Sequence, residues 1–274
     1  MGGNNRKMGE KKSNRRPVIG VTGPDKGGEA AWLFTALSIL LSGGKPLRIR
    51  PKNAYGIEKV DGLVLGGGAD INPKSYTEDL FIEQYLNKTI REKNISLFRR
   101  IGRMINWLYF PLVFILRKIL GVKEHKPSDA RDEMEFNLLD QAVKKGIPIL
   151  GICRGAQLIN IYFKGSLYED INKFYFEEPN RHSIFPVKTI FLKRNSKLKN
   201  ILELDELKVN ALHNQAVKEK GDSIIISAKE ENEVVQGIEH EKQDFIVGVQ
   251  WHPEYLVNRK RQRRLFKTLI EQAR

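Results

Sequence analysis

The chain has 274 residues, of which 41% are hydrophobic and 29% are charged, and its formal net charge is +14. This composition excludes disordered and collagen-like chains and predicts a folded protein with a substantial core. Its single cysteine excludes an intramolecular disulfide and a cysteine cluster for zinc, and it fits a reducing compartment.

The positive charge is concentrated in three segments. Residues 1–16, 88–126 and 259–274 carry +5, +8 and +6, so the rest of the chain is mildly acidic. Residues 1–16 lack the apolar stretch of a secretory signal, so we interpret them as a basic flexible tail and the protein as cytoplasmic. Such basic segments either bind anionic partners or only keep the protein soluble, and the composition leaves both interpretations open.

From residue 17 onward, short apolar segments alternate with longer segments that have helical periodicity. The pattern predicts a strand over 17–22, a helix over 28–42, strands over 46–51 and 60–65, a helix over 128–146 and a strand over 147–152. Strand patterns follow at 187–192, 223–228, 234–238 and 245–251, before a closing helix. Apolar strands between helices predict an α/β fold with a mostly parallel central sheet and helices on both faces. No repeat or linker divides residues 17–274, which are predicted to form one domain.

Residues 95–120 interrupt this scheme with an amphipathic basic helix, inside a longer insert at about 88–126. Apolar side chains recur every three or four positions, and basic side chains share another face. The apolar stretch from Trp107 to Leu116 is too short to cross a bilayer. Two interpretations stay open: the helix packs on the domain or across a homodimer, or it contacts a membrane surface or a protein partner. Contact with a membrane would make the protein peripheral to the inner membrane.

The most informative segment is Gly151-Ile152-Cys153-Arg154-Gly155-Ala156-Gln157, between a buried strand and a helix. Glycines on both sides of Cys153 permit the sharp strand-to-helix turn that presents a nucleophile. A helix N-terminus also favours thiolate over thiol. The alternative interpretation is that Cys153 is a small buried side chain with no chemical role.

His252 is the candidate base for that thiol. It follows the predicted strand over 245–251, and the carboxylate of Glu254 comes two residues later. An imidazole in this place can take the thiol proton and return it to a leaving amine, while the carboxylate fixes its tautomer. Because 99 residues separate Cys153 from His252, only the fold can bring them together.

Together these segments resemble the class I glutamine amidotransferase superfamily, and within it the γ-glutamyl hydrolases, especially those of the γ-glutamyl-γ-aminobutyrate hydrolase type. The resemblance rests on the cysteine segment and on four others, in the order that the family has: Gly66-Gly67-Gly68-Ala69-Asp70-Ile71-Asn72-Pro73, Arg131-Asp132 with Glu135, Asn210-Ala211-Leu212-His213-Asn214-Gln215-Ala216-Val217 and Gln250-Trp251-His252-Pro253-Glu254. It implies a flavodoxin-like fold and hydrolysis of a γ-glutamyl amide through a thioester.

The resemblance also implies roles for individual residues. The implied catalytic triad is Cys153, His252 and Glu254. Main-chain N–H groups of the implied oxyanion hole come from Gly67, Gly68 and Arg154. A small-molecule γ-glutamyl substrate is implied, and neither a metal nor an organic cofactor is.

Three further residues match family positions at the substrate. The resemblance implies that Gln157 contacts the glutamyl portion and that His213 and Gln215 line the pocket. An open alternative is that these side chains only brace the fold by hydrogen bonding. The chain departs from the family at Gln236, where the hydrolases usually carry a glutamate, so the identity of the amine leaving group is not transferred.

Two other functions stay open on the sequence. The same triad serves a glutaminase subunit that passes ammonia to a partner synthetase. The basic segments also fit a membrane- or nucleic-acid-associated binding protein with a residual triad. No recognised nucleic-acid module accompanies the charge, so no specific nucleic acid is predicted.

Overall fold

The structure is a computed structural model that describes residues 15–67, 109, 112–113, 115–116, 129–175, 180 and 182–274. Its strands are β1 (Val18–Thr22), β2 (Lys45–Ile49), β3 (Gly62–Leu65), β4 (Ile149–Ile152), β5 (Leu167–Tyr168), β6 (Ser183–Leu192), β7 (Glu206–Ala211), β8 (Ala216–Val217), β9 (Ile224–Lys229), β10 (Val235–His240) and β11 (Ile246–Val249). Its α-helices are α1 (Glu29–Leu41), α2 (Asp129–Lys145), α3 (Arg154–Tyr162), α4 (Lys197–Leu202) and α5 (Lys260–Gln272). Short 3-10 helices span Ile57–Lys59, Asn172–Phe174 and Pro253–Leu256.

Five strands form the parallel half of a nine-stranded sheet. They lie in the order β2-β1-β3-β4-β11, and each pairs in parallel with its neighbour. Leu65 of β3 and Gly248 of β11 both pair with Gly151 of β4, so the carboxyl ends of these three strands lie at one edge. The residues that follow them are therefore brought together, as is usual for sites in parallel sheets.

Four antiparallel strands complete the sheet in the order β10-β9-β6-β7 beyond β11. The predicted α/β class with a mostly parallel sheet is confirmed, and this antiparallel extension is the part that the sequence pattern resolved least well. Strand β6 begins at Ser183, before the predicted start at residue 187, and β7 was not predicted. β7 is an edge strand with exposed charged residues at Glu206 and Lys208, which weaken its apolar signal.

Helices cover both faces of the sheet, as predicted. Successive side chains of β4 point to opposite faces of the sheet, so they belong to two separate hydrophobic clusters. Leu150 and Ile152 belong to a cluster with Leu265 of α5, whereas Ile149 belongs to a cluster with Leu139 of α2 and with side chains of α3. The buried cysteine segment therefore lies between two packed layers.

The basic closing helix makes internal contacts. Arg261 and Arg264 of α5 both form ion pairs with Glu203, which directly follows α4. Arg261 also donates to the carbonyl oxygen of Leu202 at 3.1 Å, an interaction that satisfies the end of a helix. At least these two guanidinium groups serve the contact between α4 and α5.

Of the predicted insert at 88–126, the structure describes five helical residues. Val113 is fully buried, and Tyr109 and Leu116 on the same side of the helix pack with it against a cluster that includes Tyr255. Leu112 and Ile115, which belong to the predicted apolar face, are instead exposed. At these positions the helix packs on the domain, through a different face from the one that the sequence pattern indicated.

Candidate active site

Cys153 lies in the sharp turn between β4 and α3. Its φ of 52° is left-handed backbone, which costs energy for a residue with a side chain. A Cβ on Gly155 would lie 2.1 Å from the carbonyl oxygen of Leu65, and a Cβ on Gly151 would lie 2.6 Å from the side chain of Ile159. Both glycines are therefore required for the helix to approach the sheet closely enough to form this turn.

His252 and Glu254 follow β11, the strand beside β4. His252 Nδ1 is 2.7 Å from Glu254 Oε1, and both side chains are buried. A Cβ on Gly67 would lie 2.7 Å from His252 Cε1 and 3.7 Å from Cys153 Cβ. The fold thus brings the imidazole, the carboxylate and the thiol into one buried cluster around the Gly67 main chain.

The charges of this cluster favour a protonated imidazole. Burial lowers the pKa of His252, but the carboxylate of Glu254 and the sulfur of Cys153 act more strongly in the opposite direction. The result is a pKa raised from 6.5 to about 10. An imidazolium beside the sulfur stabilises a thiolate, which is the nucleophilic form of cysteine.

Asn210 of β7 holds the main chain of His252, a role that the sequence analysis did not identify. Its side-chain oxygen accepts from the His252 N–H at 2.8 Å, and its side-chain nitrogen donates to the His252 carbonyl at 2.9 Å. Asn210 is fully buried, so both bonds are shielded from water. The His252 ring also stacks on Tyr255 with centroids 5.5 Å apart.

The predicted oxyanion-hole residues are partly described. Gly67 lies against Cys153 and His252 as stated above, whereas Gly68 lies outside the described residues. Arg154 follows Cys153 at the start of α3, and its guanidinium pairs with Asp132 and Glu135 of α2. Burial lowers the pKa of Arg154, but these two carboxylates outweigh burial and raise it.

Gln157 lies one helical turn after Cys153 and is buried. Its side-chain nitrogen donates to the carbonyl oxygen of Gln215 at 3.1 Å and to the side-chain oxygen of Gln250 at 3.2 Å. The side-chain nitrogen of Gln250 in turn lies 3.6 Å from Cys153 Sγ. Gln250, another residue that was not identified from the sequence as a site residue, therefore links Gln157 to the thiol.

His213 joins a second buried network. Burial is the main reason why the pKa of His213 falls to about 3, so the ring is neutral at physiological pH. Its Nδ1 lies 2.9 Å from the Gln215 carbonyl and must carry the proton, because a carbonyl only accepts. Its Nε2 then accepts from the amide nitrogen of Gln236, which also donates to Glu230 at 2.7 Å.

The bracing hydrogen bonds are thus present for the side chains of Gln157 and His213, whereas Gln215 contributes its main-chain carbonyl. Substrate contact by these three residues stays a prediction. Across the described ranges, no group of three or more His, Cys, Asp or Glu side chains is arranged to hold a metal ion. None of the helices in those ranges is both long and apolar enough to span a bilayer.

Comparisons with known proteins bear on the family to which the chain belongs. Residues 115–254 match the family model described as Peptidase C26. A glutamine amidotransferase-like protein of Rickettsia prowazekii is 30% identical over 322 aligned positions, which cover 94% of this chain and 98% of that protein. γ-Glutamyl-γ-aminobutyrate hydrolase of Escherichia coli O157:H7 is 28% identical over 134 residues, covering 46% of this chain and 53% of that protein.

Among solved structures, a Thermoplasma acidophilum protein described as a GMP synthase subunit has a TM-score of 0.59 at 19% identity, covering 95% of this chain and 96% of that one. At this identity the likeness bears on the fold alone. The family model and the full-length relative carry the assignment: the chain belongs to the peptidase C26 family of the class I glutamine amidotransferase-like superfamily, whose members are hydrolase- or amidotransferase-type enzymes.

Proposed function

We propose that this protein hydrolyses the γ-glutamyl amide bond of a small molecule, with Cys153 as the nucleophile. The observation that carries the proposal is the buried 2.7 Å contact between His252 Nδ1 and Glu254, beside the thiol at the turn after β4. Family membership supports a cysteine hydrolase or amidotransferase. The partial likeness to a γ-glutamyl-γ-aminobutyrate hydrolase supports the γ-glutamyl class without specifying the amine.

The reaction begins with attack of the Cys153 thiolate on the amide carbonyl. Glu254 keeps the proton on His252 Nδ1, and among the described residues no hydrogen-bond partner occupies Nε2. Nε2 therefore gives its proton to the leaving amine as the C–N bond breaks and a glutamyl thioester forms. The neutral imidazole then takes a proton from water, which attacks the thioester and releases glutamate and the thiolate.

The negative oxygen of each tetrahedral intermediate requires main-chain donors. We assign this role to the N–H groups of Gly67, Gly68 and Arg154, of which Gly67 lies against Cys153 and His252. Loss of one such donor typically costs about 3 to 4 kcal/mol of transition-state stabilisation. Gln157, His213 and Gln215 are assigned to the wall that receives the glutamyl group.

A panel of γ-glutamyl amides, γ-glutamyl-p-nitroanilide and free glutamine tests the proposal. Wild type should release glutamate from at least one γ-glutamyl amide, and hydroxylamine should trap the thioester as γ-glutamyl hydroxamate. Cys153→Ala should abolish both reactions. His240→Gln is the matched control, because His240 is a buried histidine of β10 outside the site, and it should retain turnover within about twofold of wild type.

The same panel separates the competing functions. Equal release of glutamate by wild type and Cys153→Ala would refute the proposal. Glutamine hydrolysis that appears only after a synthetase partner is added would replace it with a glutaminase subunit.

A further inference from the structure

A buried charge cluster lies behind the turn that carries Cys153. At its centre is Glu135 of α2, whose side chain is fully buried. Its Oε1 accepts from Arg131 Nε at 2.8 Å and from the Thr22 hydroxyl at 2.7 Å, and its Oε2 pairs with Arg154. We call these four residues the Glu135 cluster.

The cluster makes three hydrogen bonds to the main chain of the loop after β3. Arg131 Nη2 donates to the carbonyl oxygens of Gly66 and Gly67, each at 3.1 Å. The Gly66 N–H donates to the Thr22 hydroxyl at 3.2 Å, and that hydroxyl in turn donates a hydrogen bond to Glu135. Buried side chains thus fix both polar groups of Gly66 and one of Gly67.

Fixing a carbonyl also fixes the N–H of the same peptide group. A trans peptide is planar and its N–H points away from its C=O, so the contact of the Gly66 carbonyl with Arg131 directs the Gly67 N–H away from Arg131. Gly67 itself lies against Cys153 and His252. The other end of the cluster holds Arg154, whose main chain directly follows the nucleophile.

We propose that Arg131 and Glu135 are positioning residues that hold both halves of the oxyanion hole, the Gly66–Gly67 loop and the start of α3, in register with Cys153. The inference rests on the acyl-transfer chemistry proposed above and extends it to residues that touch no substrate. An arginine suits this role better than a lysine because its planar fork donates to Glu135 and to two carbonyls at the same time.

Two reagents separate positioning from general damage. p-Nitrophenyl acetate acylates the thiolate: the C–S bond forms, the C–O bond breaks, and p-nitrophenolate leaves after charge develops on the carbonyl oxygen. Iodoacetamide alkylates the same thiolate with loss of iodide, and no charge develops on an oxygen. The first reaction needs the oxyanion hole, and the second needs only a reactive thiolate.

Arg131→Lys should slow acylation about 10- to 100-fold and leave alkylation within threefold of wild type. In Arg131→Ala, added guanidinium should restore part of the acylation rate. Thr22→Val leaves both arginines in place. It should also slow acylation without slowing alkylation, with a smaller loss of acylation rate than in Arg131→Lys. This variant keeps the test decisive if Arg131→Ala folds poorly. Lys144→Ala removes an exposed ion pair of α2 and is the matched control, with both rates unchanged.

Parallel losses in both reactions, or no loss in either, would overturn the positioning role. Wild type that reacts with neither reagent at Cys153 would instead refute the proposed nucleophile. If wild type cleaves no γ-glutamyl amide but shows the split between acylation and alkylation, the positioning role stands and the substrate assignment fails.

Discussion

Replacement of Glu254 by glutamine removes the charge that holds the His252 imidazole in its protonated form. The two groups are 2.7 Å apart and buried, and the pKa of His252 rises from 6.5 to about 10. At about 1.4 kcal/mol per pKa unit, this rise corresponds to about 5 kcal/mol in favour of the charged ring. Because Cys153 contributes part of the rise, we expect Glu254→Gln to cost about 3 to 5 kcal/mol of unfolding free energy, the range for a broken buried pair.

The sign of the pKa change fixes the pH dependence of this loss. A group whose pKa is raised in the folded state contributes its full stabilisation below the unfolded pKa, here 6.5, and loses it as pH rises through about 10. The difference between wild type and Glu254→Gln should therefore be largest near pH 6. By about pH 10.5 it should fall to about 1 kcal/mol, the value of a hydrogen bond from the neutral ring.

Urea unfolding of both proteins at intervals between these two pH values measures the difference directly. The control places Glu254→Gln in a His252→Gln background, where no titrating imidazole remains at this position. In that background the cost of Glu254→Gln in unfolding free energy should stay constant between about pH 6 and about pH 10.5. A wild-type difference that stays constant over the range, or that grows toward high pH, would refute the coupling between Glu254 and His252.

Three further predictions test other parts of the structure. Gly155→Ala places a Cβ 2.1 Å from a main-chain oxygen of β3, so we expect a loss of about 3 kcal/mol in unfolding free energy, measured by urea denaturation. Asn210→Ala removes both bonds that hold the His252 main chain, and alkylation of the thiol at pH 7 should slow about tenfold while the secondary structure by circular dichroism is retained. Val113→Ala should destabilise the protein by about 1 to 2 kcal/mol, whereas Leu112→Ala, at an exposed position beside it, should change stability by less than about 0.5 kcal/mol.

The sequence predicted those parts of the site that depend on the path of the main chain. Glycines around Cys153 indicated a sharp turn, and the structure shows that a Cβ at either glycine would collide with neighbouring atoms. The predicted strands before Cys153 and His252 are adjacent and parallel, so their carboxyl ends meet. The local pattern was sufficient here because strands buried on both faces of a parallel sheet give continuous apolar segments.

The sequence did not predict the roles of side chains that act across the fold. Asn210 lies in a quoted family segment, but its two bonds to His252 depend on the end of β7 reaching the turn after β11, and β7 itself was missed. The insert illustrates the same limit, because periodicity indicates an apolar face without indicating which face contacts the domain. Only the packing of Val113 against the domain distinguishes the two.

Separate elements hold the main chain on the two sides of Cys153, the proposed nucleophile. On the side of β11, Asn210 fixes the main chain that carries the imidazole. On the side of β3, Arg131 fixes the main chain that carries the Gly67 N–H. The described hydrogen bonds give these two arrangements no residue in common, so each can be weakened without the other. The Cys153 thiol and the proposed oxyanion hole can accordingly be perturbed separately, so alkylation and acylation are expected to respond to different substitutions.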